Sequence, residues 1–367
     1  MSIIKKETSL GTLYYSNITF KYLLEHNGNV IKEEIEIEKL FLENRVPLRV
    51  QFEITEKCNF SCYYCYAEPL RGQEDLKLED IKKIIDKLDE MGIVFLELTG
   101  GEVLSRNDFL DILKYINTKK FIVSIFTNAS QLNDEIIKEI KNGNINHIRT
   151  SLLAPNEEMC DELTGIKGSF KSIINGINLL KESNIKFSIN SPLTNPNIGM
   201  LNEYRELEEE LNIKIDTSIN LCATFDGYEK VKKYSLDRSN IGQLQNFFPS
   251  LVGCKDLYIN NICSALKSKF AIDCSGNVLP CMKYRKKIGN LLFDDIIDIW
   301  NSNLALSTYK EIYEISDDCQ NCDIKRYCKY CPGIILYYKN KSDYCLNADL
   351  IKNMCESVVN YAEWSSI

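Results

Sequence analysis

The sequence predicts an α/β protein built on a partial (β/α)6 barrel of the triosephosphate-isomerase type, with an open doubly wound sheet as the alternative. Three observations lead to this prediction. Strand-like and helix-like segments alternate between residues 48 and 220, which favours parallel strands joined by helical crossovers. Cysteines crowd the last third of the chain, where ten of the 15 lie between Cys254 and Cys355. With 367 residues, the chain is long enough for a barrel and an appended domain.

Six strands are predicted at residues 50–55, 94–99, 121–127, 147–152, 186–190 and 214–219, and five helices at 78–91, 108–117, 134–141, 170–182 and 200–211. In the first helix, apolar residues at helical spacing from Leu78 through Leu88 to Met91 form one face, and Gly92 ends it. The carboxyl ends of parallel strands meet at one edge, so the chemistry is expected there.

Residues 1–47 are predicted to be β-rich. Alternating side chains at 11–15 and 30–37 favour strands, and His26-Asn27-Gly28-Asn29 favours a hairpin turn. The predicted division is therefore a β-rich segment at 1–47, a barrel at 48–245 and a cysteine-rich domain at 246–367.

Composition argues against several classes of partner. The net charge of −8 argues against binding to nucleic acid or to an acidic membrane surface. There is no N-terminal signal segment and no run of about 18 apolar residues, so a cytoplasmic location is expected. Closely spaced cysteines in that compartment indicate metal ligands or redox groups. The only two histidines, His26 and His147, lie far from every cysteine cluster, which disfavours zinc sites built on imidazole.

Cys58, Cys62 and Cys65 directly follow the first predicted barrel strand, at its carboxyl end. Three thiolates within eight residues can converge on one face of a tight loop. On a cube of four irons, three cysteine ligands leave one iron open to a small molecule, which four cysteines would not. A zinc knuckle is the alternative interpretation of the same spacing.

This CX3CX2C spacing, with the aromatic Tyr64 before the last cysteine, resembles the signature of the radical S-adenosylmethionine (SAM) superfamily over roughly residues 48–220. The resemblance implies a [4Fe–4S] cluster on Cys58, Cys62 and Cys65, with the amino and carboxylate groups of SAM chelating the open iron. It further implies reductive cleavage of SAM to methionine and a 5′-deoxyadenosyl radical.

The resemblance also implies SAM contacts at the ends of later strands. Gly100-Gly101-Glu102 follows the second strand, and in the family this motif contacts the methionine amino group. Asn128 and Ser151 end the next two strands and, by the resemblance, lie near the ribose and carboxylate of SAM. Ordinary strand-to-helix turns are the alternative for these residues. The family often has proline after the glutamate, whereas this chain has Val103.

A second set of cysteines resembles the SPASM extension of radical SAM enzymes, although its last pair is shortened from X3 to X2. The set consists of Cys263, Cys281, Cys319, Cys322, Cys328, Cys331 and Cys345, with Gly276 between the first two. The resemblance implies two auxiliary [4Fe–4S] clusters, and hence three clusters in all. One would use Cys263, Cys281 and Cys331, completed by Cys254 or left with an open iron, and the other Cys319, Cys322, Cys328 and Cys345. Structural zinc sites are the alternative.

Four cysteines belong to neither set: Cys160, Cys222, Cys274 and Cys355. They are interpreted mostly as buried apolar residues. A hydrogen-atom donor or a substrate-reactive thiol among them is the other interpretation.

SPASM proteins act mostly on peptides or proteins, so the resemblance implies a precursor peptide as substrate and an electron donor such as flavodoxin or ferredoxin. The leading hypothesis is a peptide maturase that forms an intramolecular thioether or carbon–carbon crosslink. An auxiliary cluster would either accept an electron or bind a substrate thiolate at an open iron. Sulfatase-maturing relatives carry an Asp base after the cysteine matching Cys281, but this chain has Met282, which cannot accept a proton. Oxidation of a protein Ser or Cys, oxidation of a small metabolite, and a non-enzymatic iron–sulfur or zinc scaffold remain alternatives.

Two other segments bear on the substrate. Residues 151–170, which include Thr164-Gly165-Ile166-Lys167-Gly168-Ser169-Phe170, are similar to the corresponding stretch of peptide maturases. Residues 1–47 are too short for a complete leader-binding domain of the winged-helix kind. They are interpreted either as a cap on the barrel or as a small sheet that recognises an extended peptide at its edge.

Overall fold

The structure is a computed structural model that describes residues 3–16, 19–67, 74–218, 221, 233–236, 263–314, 331–333 and 336. Five predicted cluster ligands lie outside these residues: Cys254, Cys319, Cys322, Cys328 and Cys345. Two of the remaining cysteines, Cys222 and Cys355, also lie outside them.

The N-terminal part forms a four-stranded antiparallel sheet in the order β1-β2-β3-β4. Its strands are β1 (Ile3–Thr8), β2 (Gly11–Ser16), β3 (Tyr22–His26) and β4 (Asn29–Ile31). The predicted hairpin is confirmed, because His26 pairs with Asn29 across the turn. Asn27 and Gly28 both have positive φ, as a two-residue turn of this hand requires.

The predicted strand at residues 30–37 is wrong beyond Ile31. Residues Glu34–Glu43 form helix α1, in which Ile37 and Phe41 are fully buried while Ile35 is exposed. Ile35 and Ile37 alternate with glutamates as they would in a strand. That pattern concealed the spacing of four residues between Ile37 and Phe41, which places both side chains on the buried face of α1.

A second sheet forms the barrel, and its described strands lie in the order β10-β9-β8-β7-β6-β5-β11-β12-β13. The parallel barrel strands are β5 (Arg49–Glu53), β6 (Phe95–Thr99), β7 (Ile122–Thr127), β8 (Ile145–Ser151), β9 (Phe187–Pro192) and β10 (Ile215–Ser218). The helices between them are α2 (Leu78–Glu90), α3 (Phe109–Asn117), α4 (Asp134–Asn142), α5 (Glu157–Thr164), α6 (Ser169–Glu182) and α7 (Leu201–Leu211). The predicted partial (β/α)6 barrel is confirmed.

Alternation along the strands separates the helix-facing core from the barrel interior. Val50 and Phe52 of β5 are fully buried in one core with Ile84 of α2. Because successive strand residues point to opposite faces, Glu53 and Thr55 point into the barrel instead. Charged and polar side chains at the carboxyl end of β5 therefore line the interior.

The N-terminal sheet covers the end of the barrel where the strands begin. Leu13 and Leu24 of this sheet share a core with Leu48, Val94 and Ile122, which lie at the starts of β5, β6 and β7. This packing supports the interpretation of the N-terminal segment as a barrel cap. The carboxyl ends of the strands lie at the opposite end.

Beyond residue 263 the chain returns to the barrel sheet. Strand β11 (Lys269–Ile272) pairs in parallel with β5, and β12 (Asn277–Leu279) and β13 (Gly289–Asn290) extend the sheet in antiparallel fashion. Helices α8 (Ile296–Asn301) and α9 (Asn303–Tyr313) follow. One sheet thus spans both sides of the predicted boundary at 245/246, and the three-part division stays a prediction.

The longest described helix, α6, has 14 residues, whereas a membrane-spanning helix needs about 20. In the part of the chain that the structure describes, no helix is long and apolar enough to cross a bilayer.

Candidate functional site

The three closely spaced cysteines lie on an irregular loop at the carboxyl end of β5. Cys58, Cys62 and Cys65 are partly buried, and none of them forms a disulfide with a described residue. The Phe60 amide donates a hydrogen bond to Cys58 Sγ at 3.4 Å, and the Cys65 amide donates to the Cys62 carbonyl at 3.1 Å. We call residues 58–65 the cysteine loop.

The residues of this loop fit an iron–sulfur cluster. Within the described ranges, no three Cys, His, Asp or Glu side chains are grouped closely enough to hold a single metal ion. A cubane binds each thiolate to a different iron, so its donors stand farther apart than the donors of one ion. The soft thiolate donor set is the one that such clusters use.

Gly100 and Gly101 allow the end of β6 to lie against the backbone that leads into the cysteine loop. The Gly101 amide donates to the Thr55 carbonyl at 2.8 Å, and the Glu102 amide donates to the Lys57 carbonyl at 2.7 Å. A Cβ on Gly100 would stand 2.5 Å from the Thr55 carbonyl oxygen, and one on Gly101 only 2.4 Å from that of Lys57. The described backbone thus excludes any side chain at either position.

The Glu102 carboxylate links the ends of β6 and β7. It is 1% exposed and accepts hydrogen bonds from the Leu104 amide at 3.0 Å, the Thr127 hydroxyl at 2.5 Å and the Asn128 amide at 2.6 Å. Burial raises the pKa of Glu102, and the hydrogen bonds from Asn128, Thr127 and Leu104 oppose that rise. Its carboxylate therefore has a structural role here, and its predicted contact with SAM stays a prediction.

Asn128 is joined to the cysteine loop by a side-chain network that sequence reasoning missed. Asn128 Nδ2 donates to Asn59 Oδ1 at 2.9 Å, and Asn59 Nδ2 donates to Ser130 Oγ at 2.9 Å. Asn59 lies between the first two cysteines, and that position was the available signal. The network holds the loop against the end of β7, while the predicted contact of Asn128 with the SAM ribose stays a prediction.

Tyr64 and Ser151 occupy different environments. The Tyr64 ring is buried in a core that includes Phe60 and Leu152, and burial raises the pKa of its hydroxyl well above the usual value. The hydroxyl has no hydrogen-bond partner among the residues described. Ser151 is exposed at the end of β8, where its backbone pairs with Asn190 of β9. Both residues border the carboxyl end of the barrel, and their SAM contacts stay predictions.

A buried ion pair lies inside the barrel beneath the carboxyl ends of the strands. Arg285 Nη2 stands 2.7 Å from Glu53 Oε2 and 3.9 Å from Asp273 Oδ2, and Arg285 Nη1 lies 3.6 Å from Met282 Sδ. Glu53 is fully buried, and its Oε1 has no hydrogen-bond partner in the described part of the chain. Burial raises the pKa of Glu53 in spite of Arg285. Met282, the residue after Cys281, therefore packs on the guanidinium of Arg285.

Three of the second-set cysteines come together although they are far apart in sequence. Cys263, Cys281 and Cys331 are partly buried, and none of them forms a disulfide with a described residue. Burial and the neighbouring Cys331 thiol raise the pKa of Cys281 to about 11, and burial with the same neighbour raises the pKa of Cys263. A thiol that raises the pKa of another thiol in this way is close enough to interact with it electrostatically. This grouping supports the predicted ligand set of one auxiliary cluster.

The two remaining described cysteines are buried, as interpreted from the sequence. Cys160 and Cys274 are fully buried. Cys160 Sγ lies 4.0 Å from Ser169 Oγ, and burial raises its pKa. Burial also raises the pKa of Cys274, whose thiol interacts with Glu56.

Two family models match the chain. The Radical SAM superfamily matches residues 52–207, and the SPASM iron–sulfur cluster-binding domain matches residues 263–332. Together they cover well over half of the chain. The first begins within β5 and contains the cysteine loop, and the second contains Cys263, Cys281 and Cys331.

Three curated relatives are similar over most of the chain. The antilisterial bacteriocin subtilosin biosynthesis protein AlbA of Bacillus subtilis is 26% identical, covering 86% of this chain and 72% of AlbA. An AdoMet-dependent heme synthase of Methanosarcina barkeri is 23% identical, covering 78% of this chain and 91% of the synthase. A PqqA peptide cyclase of Bradyrhizobium diazoefficiens is 22% identical, covering 76% of this chain and 80% of the cyclase.

Two solved structures share the fold. Streptococcus suis SuiB bound to its precursor peptide SuiA has a TM-score of 0.66 at 16% identity, covering 93% of this chain and 96% of SuiB. The protein anSMEcpe with bound AdoMet and the Cp18Cys peptide has a TM-score of 0.67 at 18% identity, covering 86% of this chain and 99% of anSMEcpe. With the cysteine loop at the carboxyl end of a partial barrel and both family models matched, the chain belongs to the radical SAM superfamily and is a radical SAM enzyme with a SPASM domain.

Proposed function

We propose that this enzyme cleaves SAM and oxidatively modifies a ribosomally synthesised peptide, forming an intramolecular thioether or carbon–carbon crosslink. The observation that carries the proposal is the pairing of two thiol sets on one barrel. The cysteine loop ends β5, and Cys263, Cys281 and Cys331 converge beside the strand β11 that pairs with β5. Forming a crosslink removes two protons and two electrons from the peptide. One electron leaves with the hydrogen atom that is abstracted, so a second redox site is needed to accept the other.

In this proposal Cys58, Cys62 and Cys65 would hold a [4Fe–4S] cluster and leave one iron open to SAM. When bound, that cluster would supply the electron needed for reductive cleavage of SAM, which starts oxidation of the peptide. Gly100 and Gly101 keep the strand end close to the loop, and Glu102 fixes the Asn128 amide beside it.

Two auxiliary [4Fe–4S] clusters complete the proposal. One uses Cys263, Cys281 and Cys331, with Cys254 or an open iron as its fourth position, and the other uses Cys319, Cys322, Cys328 and Cys345. A flavodoxin or ferredoxin in the cytoplasm would supply the electron for SAM cleavage. An auxiliary cluster would accept the electron released as the crosslink forms.

A peptide substrate is supported by the names of the relatives. AlbA takes part in bacteriocin biosynthesis, one relative is a peptide cyclase, and SuiB was solved with a precursor peptide. Inside the barrel, the place after Cys281 is taken by Met282, which contacts Arg285. A thioether cannot act as the base that sulfatase maturation needs, so crosslinking is favoured over oxidation of a protein Ser or Cys.

The test is anaerobic incubation of reconstituted enzyme with SAM, dithionite and synthetic peptides encoded beside the gene. We expect 5′-deoxyadenosine together with a peptide product lighter by two hydrogens, whose fragmentation spectrum lacks cleavage inside the crosslinked ring. Formation of 5′-deoxyadenosine with no change in any peptide would contradict the peptide proposal. Cys58→Ala is the matched control, and the peptide incubated with it should keep its unmodified mass.

Oxidation of a small metabolite is the second candidate. It is favoured by the heme synthase relative, of which the chain covers nine-tenths. Iron-containing tetrapyrroles added to the same assay test this alternative, since a change in the mass of the tetrapyrrole would appear by mass spectrometry without any peptide.

A further inference from the structure

The end of helix α5 is completed by the cysteine loop. A helix leaves its last four carbonyl groups without partners inside the helix. In α5 the first two of these are satisfied locally: the Gly165 amide donates to the Glu162 carbonyl at 3.1 Å, and the Ile166 amide donates to the Asp161 carbonyl at 3.2 Å. Gly165 has φ of +68°, the left-handed conformation that glycine commonly adopts where a helix ends.

The other two carbonyl groups are satisfied by the cysteine loop. The Ser61 amide donates to the Thr164 carbonyl at 2.8 Å, and the Tyr63 amide donates to the Leu163 carbonyl at 3.2 Å. Ser61 and Tyr63 lie on either side of Cys62. The last turn of α5 therefore fixes the backbone around the middle cysteine.

Asp161 holds this helix end in place. Its carboxylate accepts hydrogen bonds from the Gly168 amide at 2.5 Å, the Ser169 hydroxyl at 2.8 Å and the Phe170 amide at 3.0 Å. Ser169 Oγ in turn lies 2.7 Å from Thr164 Oγ1. The segment 161–170, which includes the Thr164–Phe170 stretch singled out in the sequence, thus forms one hydrogen-bonded unit that joins α5 to α6.

We propose that the end of α5 is a docking platform that sets the position of the cysteine loop, with Asp161 and Gly165 as positioning residues. This inference rests on the proposed assignment of the SAM-binding cluster to Cys58, Cys62 and Cys65. Moving the backbone at Ser61 and Tyr63 changes where Cys62 stands relative to the other two thiols. SAM binding to the open iron then changes, although no SAM ligand has been altered.

Two glycines in the same turn offer a matched pair of variants. Both have left-handed φ, +68° at Gly165 and +83° at Gly168. A Cβ on Gly165 would meet the Ser61 carbonyl oxygen at 3.2 Å and Ser61 Cβ at 3.4 Å, whereas a Cβ on Gly168 would meet nothing within 4 Å. Gly165→Ala and Gly168→Ala therefore carry a similar backbone penalty, and only the first pushes on the cysteine loop.

The experiment titrates SAM into the reduced, reconstituted full chain. It follows the change in the electron paramagnetic resonance signal of the cluster proposed at Cys58, Cys62 and Cys65. We expect the SAM dissociation constant of Gly165→Ala to rise by at least about threefold, or roughly 0.6 kcal/mol, relative to Gly168→Ala. Melting temperatures of the two variants should fall by similar amounts. Equal dissociation constants in the two variants would overturn the inference and leave the proposed function intact. If SAM did not change the signal of the wild-type protein, the proposed function itself would be overturned.

Asp161 gives a second, independent variant. Asp161→Ala removes all three hydrogen bonds of the carboxylate, whereas Asp161→Asn keeps one acceptor oxygen. We expect the SAM dissociation constant to increase in the order wild type, Asp161→Asn, Asp161→Ala. A destabilised Asp161→Ala protein that binds SAM as the wild type does would mean that Asp161 supports the fold only, and would overturn its positioning role.

Discussion

The two cysteine sites in the described structure are built in different ways. Cys58, Cys62 and Cys65 belong to one loop, which the ends of β6, β7 and α5 hold by hydrogen bonds. The second site draws Cys263, Cys281 and Cys331 from three separate segments, two of which flank the β11–β12 extension of the barrel sheet. A local site of this kind can be recognised from spacing alone. An assembled site depends on distant packing to bring its ligands together.

Removing one ligand from each site should give the largest contrast. Cys58→Ala should abolish 5′-deoxyadenosine formation on reduction, because the proposed cluster would keep only two thiolate ligands. Cys281→Ala should retain SAM cleavage and stop formation of modified peptide, because the proposed electron acceptor is lost. Both products are measured by mass spectrometry after anaerobic reconstitution. Equal loss of SAM cleavage in the two variants would contradict this division of roles.

The next effect concerns the ion pair that ties the assembled site to the barrel. Arg285→Met should lower the free energy of unfolding by about 3–5 kcal/mol, because it leaves the buried Glu53 carboxylate without a counter-charge. Urea denaturation measures this difference. The double variant Glu53→Gln/Arg285→Met is the control and should recover most of the loss, since neither charge of the Glu53–Arg285 pair remains. Single and double variants of equal stability would show that the pair acts by packing alone.

A smaller loss of stability is expected where the local site depends on close backbone contact. Gly101→Ala would place a Cβ 2.4 Å from the Lys57 carbonyl oxygen, and relieving that overlap should cost about 1–3 kcal/mol of unfolding free energy. Gly199→Ala is the matched control, because a Cβ there meets nothing within 4 Å. The same denaturation series compares the two. If Gly101→Ala were no less stable than Gly199→Ala, the close approach of β6 to the loop would not be required.

The barrel could be predicted from the sequence because the patterns that indicate it lie within short segments of the chain. Apolar periodicity identified the helix beginning at Leu78, and the spacing of Cys58, Cys62 and Cys65 identified the loop. Helix α5 was missed because its eight residues bury only Cys160, Leu163 and Thr164, too few for a clear period. The ligand contact predicted for the glycine pair stays a prediction, and the structure adds that these glycines accommodate the backbone at Thr55 and Lys57.

The partners in contacts between distant segments could not be predicted from local sequence patterns. Asn59 bonds to Asn128, and Glu53 to Arg285, across separations that no spacing rule covers. The cluster ligands were accessible to sequence reasoning because their chemistry restricts residue type. The residues that position them were not, because a backbone carbonyl such as that of Thr164 can be supplied by any residue.

The smallest expected effect concerns the acid stability of the α5 platform that supports the local site. Partial burial works against the charged form of Asp161, but hydrogen bonds from the Phe170 and Gly168 amides outweigh it and hold the pKa below its usual value. The unfolded chain therefore binds the proton more readily. The stabilisation from this carboxylate is complete above the ordinary aspartate pKa of about 3.9, and is lost as the pH falls through the folded value.

Asp161→Asn removes this dependence, so the stability difference between wild type and variant should shrink as the pH falls from about 6 to about 3. Because Asp161 is only partly buried and water screens its charge, the change should stay below about 1 kcal/mol. Urea denaturation at each pH measures it. A difference that stays constant with pH would mean that hydrogen-bond geometry, and not charge, makes Asp161 favourable at the end of α5. The local site would then be held by neutral contacts throughout, in contrast to the ion pair that ties the assembled site to the barrel.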